Sequence, residues 1–174
     1  MRFVLELVEH VRSVWPDGKP LFYRISAVDE AGWSIEDSVR LCRELKLRGV
    51  DVIDCSSGGM AEGLVVTSNK APSYGYQVPY AQRIREGADI MTQAVGLIIH
   101  ADQAEGILQK GQADLVAIGR EMLHNPHWVF DAADKLGEDN PFDTVPANYG
   151  YWLDKRASVG YRTNTSTWQS GIDT

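Results

Sequence analysis

The chain has 174 residues, 44% of them hydrophobic and 24% charged, which is the composition of one globular domain or of a domain with a tail. Seventeen basic against twenty-four acidic residues give a net charge of −7, which argues against nucleic-acid binding but leaves room for a local phosphate site. No uncharged apolar run reaches membrane-spanning length, and the two cysteines and four histidines have no metal-ligand spacing. The opening segment MRFVLELVEHVRSVW carries Glu6, Glu9 and Arg12 among its apolar positions, so it lacks the core of a signal peptide. With no paired cysteine spacing, a reducing, cytoplasmic location is the simplest expectation.

In chain order, Phe3, Val4, Leu7, Val8, Val11 and Val14 repeat at helical spacing, and Trp15-Pro16-Asp17-Gly18 ends that helix with turn chemistry. Residues 20–26 read as a strand. Ser34, with Asp37 three residues on, forms a variant of the capping box and opens a helix running to about Arg48, with Gly49 as its stop. Residues 50–55 are a second strand. A long Gly-, Ser- and Pro-rich loop runs from Ser56 to about Gln77, and loops of that length are usually functional or disordered. A helix with Pro79 near its first turn spans 78–88, a third strand spans 90–95, and a helix from His100 to Lys110 stops at Gly111. The fourth strand, Leu115–Ile118, ends at Gly119-Arg120; a short helical turn and a further helix then reach about Leu136. From Gly137 the pattern dissolves, and a tail holding Tyr149, Tyr151, Trp152, Tyr161 and Trp168 reads as extended or partner-dependent.

One helix followed by four strand–helix units predicts a parallel α/β sheet covered by helices. Right-handed crossovers place all four strand C-ends, and the loops after them, on one ligand-binding face. Three features fall there. Arg24 lies inside an apolar strand, where a charge is costly unless it is paired or aimed at a ligand; it could serve an anionic cofactor atom, or pair with a strand carboxylate such as Asp54. Asp54-Cys-Ser-Ser-Gly-Gly59 could admit a ligand close to the backbone, or be a simple turn. Gly96 after strand three and Gly119-Arg120 after strand four resemble a phosphate cradle of backbone N–H groups, with Arg120 adding a charge-assisted bond. The histidines and Cys42 read as surface and core residues, and no nucleophile–base–acid set is visible.

Five blocks in order carry a resemblance: Arg-Ile-Ser-Ala (24–27), Gly-Val-Asp-Val-Ile-Asp-Cys-Ser-Ser-Gly (49–58), Tyr-Gln-Val-Pro-Tyr-Ala-Gln-Arg-Ile-Arg (76–85), Ala-Val-Gly-Leu-Ile (94–98) and Ala-Asp-Leu-Val-Ala-Ile-Gly-Arg-Glu-Met-Leu (113–123). Over about residues 2–153 the chain resembles the old yellow enzyme family, in its bacterial NADPH-dependent ene-reductase branch. The resemblance implies the C-terminal half of an eight-stranded TIM barrel holding FMN, with a half barrel over 1–136 and a partly irregular extension over 137–174. It further implies that Arg24 lies beside the flavin N1 and O2, stabilising the anionic reduced ring. Gly96, Gly119 and Arg120 would bind the phosphate, and Ser57 and Gly58 would lie near the cofactor rim. Trp152 becomes a candidate active-site residue supplied to a partner subunit.

In that family hydride passes from NADPH or NADH to FMN and then to an activated alkene. The family's first four strands have no counterpart here, so the resemblance assigns no catalytic residue to this chain itself. It points to a homo-oligomer or to a separate N-terminal half, with neither nucleic acid nor membrane as partner. The competing reading is a non-catalytic half barrel that self-associates or complements such a half.

Overall fold

The computed structural model describes residues 1–29, 31–58, 72–143 and 145–159. Four strands form one sheet in the order β1-β2-β3-β4: β1 (Phe22–Ser26), β2 (Val52–Ser56), β3 (Met91–Ala94) and β4 (Leu115–Val116). Every pairing is parallel, as strands joined through helices must be. The helices are α1 (Arg2–Val14), α2 (Ile35–Leu47), α3 (Val78–Ala88), α4 (Ala101–Gln109), α5 (Arg120–His124), α6 (Trp128–Leu136) and α7 (Ala147–Ser158).

Side chains alternate across a strand, so the register sorts the sheet into two faces. Ile25, Ile53, Cys55, Thr92 and Ala94 share one face and are all buried. Val39, Cys42 and Leu45 of α2, with Ala81 and Ile84 of α3, complete that core. Phe22, Arg24, Met91 and Leu115 share the other face and are exposed, while Val52 and Asp54 between them are buried. The open face is therefore the one on which a polar row can meet a ligand.

Local chemistry sets the ends of the elements. At the start of α2, Asp37 N donates to Ser34 Oγ at 3.2 Å and Ser34 N donates to Asp37 Oδ2 at 3.0 Å, closing the expected capping box. Ser38 Oγ accepts from Trp33 Nε1 at 2.6 Å and donates to Ala27 O at 2.7 Å, which ties α2 to the end of β1. Asp114 accepts from Arg85 Nε at 3.0 Å and from Thr92 N at 2.9 Å, joining α3, β3 and the entry to β4. Gly137 ends α6 in the left-handed region at φ 79°.

The residues form two compact units: Met1–Ile98 with Ile107–Ala117, and Ile99–Gly106 with the chain from Ile118. The change of pattern at Gly137 lies inside the second. The structure corrects the sequence reading of the tail: the segment expected to be extended or partner-dependent contains α7 over Ala147–Ser158. None of its residues is buried, so it has no core face to announce it as a helix. Most of the expected long loop (59–71), and Tyr161 and Trp168 of the tail, lie outside the described residues.

Candidate functional site

In the first unit, the open face of the sheet carries a row in register, Arg24, Asp54, Gln93 and Leu115, one residue from each strand. Arg24 Nη1 donates to Asp54 Oδ2 at 2.7 Å. The pair is lopsided, since the Arg24 side chain is 61% exposed and that of Asp54 12%. Asp54 Oδ1 has no hydrogen-bond partner among the described residues. Of the two sequence alternatives for Arg24, the structure shows the carboxylate pair: the arginine bonds Asp54, and its side chain stays 61% exposed.

Beyond the strand tips, Ser56 Oγ donates to Ile25 O at 2.9 Å and Ala27 N donates to Ser56 O at 2.7 Å, so the ends of β1 and β2 stay locked together. Gly58 turns the chain at φ 71° and its N–H donates to Val28 O at 3.0 Å. Ser57 Oγ accepts from Gln77 Nε2 at 2.9 Å. Gln77 also crowds Gly96, whose φ is 111°; a Cβ there would sit 2.9 Å from Gln77 Oε1 and 3.0 Å from Tyr76 Cε1. Gly96 is needed for close approach as well as for backbone conformation. Leu97 follows at φ 50°, an uncommon value for a branched side chain, so the chain turns sharply after β3. Gln77, buried at the N-cap of α3, joins the loops after β2 and β3 and was not singled out in the sequence reading. Its sequence signal is slight: one polar residue before a helix carrying Pro near its start.

In the second unit, Gly119 and Arg120 are exposed. A Cβ on Gly119 would meet nothing within 4 Å among the described residues. Helix α5 has only five residues, so an anion there would rely on the Arg120 charge and nearby N–H groups rather than on a long macrodipole. Trp152 is exposed on α7 and lines a largely apolar groove of about 790 Å³ with Phe130, Phe142 and Tyr149.

The cysteines are free and buried. Burial pushes the Cys42 thiol up to about 12 and raises Cys55 as well, so neither is a thiolate nucleophile at neutral pH. Among the described residues there is no cluster of three or more His, Cys, Asp or Glu able to hold a metal. No described helix is long and apolar enough to cross a membrane.

Several curated proteins similar to this chain carry the name NADPH dehydrogenase. The NADPH dehydrogenase of Bacillus subtilis (strain 168) is 45% identical over 150 residues, covering 85% of this chain and 41% of that protein. The NADPH dehydrogenase of Geobacillus sp. (strain WCH70) is 49% identical over 138 residues, covering 78% and 38%. That of Listeria monocytogenes serotype 4a (strain HCC23) is 43% identical over 141 residues, covering 79% and 39%. The chain thus spans about two-fifths of the length of these relatives. Residues 1–139, which include every strand of the sheet, match the NADH:flavin oxidoreductase / NADH oxidase family, and the chain belongs to that family of TIM-barrel enzymes.

Proposed function

We propose that this chain is the FMN-binding portion of an NAD(P)H-dependent oxidoreductase that reduces activated alkenes. The observation that carries this reading is Arg24: a permanent cation rooted in the middle of β1, held at one nitrogen by Asp54 and still 61% exposed on the open face of the sheet. That arrangement fits the edge of a flavin ring that gains negative charge on reduction. Ser57 and Gly58 fit the cofactor rim, since Gln77 and Val28 hold them in place. Gly96 keeps the turn after β3 compact. Gly119 fits close approach by a phosphate because the described chain leaves the space at its Cβ position open, and Arg120 supplies the charge.

When bound, FMN supplies a two-electron hydride relay between a reduced nicotinamide and an alkene. The chain's own part is to bind and orient that cofactor and to place a fixed positive charge at one edge of the ring. NADPH is the favoured co-substrate because the similar proteins are named NADPH dehydrogenase. Free buried cysteines support a cytoplasmic location. The test is an absorbance spectrum of the purified chain after incubation with FMN and desalting. A retained flavin band is the expected result, and a colourless protein overturns cofactor binding by this chain.

A second reading rests on a separate observation: the open face exposes Phe22, Met91 and Leu115. It makes the chain a half barrel that is complete only with a second copy, or with a separately encoded N-terminal half.

A further inference from the structure

We propose that Asp54 is a positioning residue that also sets the net charge beside the flavin: it anchors Arg24 through one oxygen and offsets its charge. This inference rests on the reading above. Asp54 sits in the middle of β2 and is buried, flanked by Ile53 and Cys55, which are wholly buried. A carboxylate in such a strand is costly, and stability alone would favour an apolar residue of similar volume. The structure gives little back for that cost, because Oδ2 accepts from Arg24 at 2.7 Å while Oδ1 has no partner among the described residues.

The lopsided exposure indicates what the pair achieves. A buried pair held for stability would sequester both charges. Here the acid is buried and the base is 61% exposed, so the carboxylate fixes the root of the guanidinium and leaves its remaining donors facing outward. The register places Asp54 between Arg24 and Gln93, so the anion sits inside the polar row and its field reaches whatever Arg24 touches. A bound ring then meets the cation with a carboxylate behind it, so the positive field is weakened but not cancelled. Asp54 would thus trade some of the pull of Arg24 on the flavin's electrons for a fixed position.

Two variants separate these roles. Asp54→Asn keeps an oxygen acceptor for Arg24 but removes the charge. Asp54→Leu removes both while keeping the branched shape of the side chain. FMN titration and the flavin reduction potential are read on the full chain, with circular dichroism and a thermal midpoint to confirm folding. The expected result is divergence. Asp54→Asn retains FMN within about threefold and raises the potential, because the cation is unmasked. Asp54→Leu raises the FMN Kd roughly tenfold or more and lowers the potential, because an untethered Arg24 leaves its place. Equal behaviour of the two variants, in either direction or at the wild-type values, overturns the proposal. If the wild-type chain binds FMN and only Arg24→Ala weakens it, the flavin reading stands and the role of Asp54 falls. If the wild-type chain holds no flavin, both fall.

Discussion

Gly96 and Arg120 answer to different demands, one from the chain and one from a ligand. Alanine at position 96 would be strained at φ 111°, and its Cβ would press on Gln77 at 2.9 Å. Gly96→Ala is expected to cost about 1–3 kcal/mol, read as a lower urea midpoint with an unchanged slope. Arg120 is exposed and serves the fold little. Arg120→Ala should therefore leave the urea midpoint near the wild-type value while weakening FMN roughly tenfold or more, with less effect on riboflavin, which lacks the phosphate. Calorimetric titration with both ligands checks this, and equal loss of the two contradicts the phosphate role. The sequence made Arg24 stand out as a charge in an apolar strand and named Asp54 as a partner. It could not convey that one oxygen of Asp54 has no partner among the described residues, nor which member of the pair is buried, because both depend on neighbouring strands. Gln77 was hidden for the same reason: its partners, Ser57 and Gly96, are 20 and 19 positions away and meet it only once the loops converge.

Among the elements, α2 was the most legible, because Ser34 and Asp37 carry their instructions within one turn. Hydrogen bonds from Ser34 hold the Asp37 carboxyl below its ordinary value of 3.8. The folded state then binds fewer protons than the unfolded chain in that range. The resulting stabilisation is complete above the ordinary carboxylate range and is lost as pH falls through the lowered folded value. Ser34→Ala should reduce the thermal midpoint by roughly 2–4 °C at pH 7. The gap between variant and wild type should narrow as pH falls through the lowered folded value and Asp37 becomes protonated in both states. A gap that stays constant across that span would show that Asp37 adds nothing to the cap. By contrast α7 was illegible. Its aromatic residues Tyr149, Tyr151 and Trp152 are exposed, so no apolar stripe marks a buried side. The strands were legible in place but not in length. β4 is only Leu115–Val116, since ladder pairing depends on a neighbour that local sequence does not encode.

For the whole molecule, the governing feature is the open face of the first unit's sheet. Parallel strands normally have both faces buried, because crossover connections put helices on the faces. Here Phe22, Met91 and Leu115 are 44%, 50% and 36% exposed on one face. β1 pairs only with β2 and β4 only with β3 among the described residues, which leaves two strand edges without a described neighbour. Burying a large apolar side chain fully is worth about 1.5–3 kcal/mol, so covering even parts of these three supplies a real drive to associate. The chain is therefore expected to self-associate as concentration rises, unless a chain supplying the remainder of a relative's length is present to compete. Sedimentation velocity over a wide concentration range reads this directly. Phe22→Lys combined with Met91→Lys should shift the population towards monomer, because each places a charge where an apolar contact would form. These two changes sit on the exposed face, so the buried core and the capping box of α2 should keep their thermal signature. A wild-type chain that stays monomeric throughout, and binds no hydrophobic dye, would mean that the open face is content in water. The half-barrel reading would then lose its motive, and the flavin site would have to be sought on the chain acting alone.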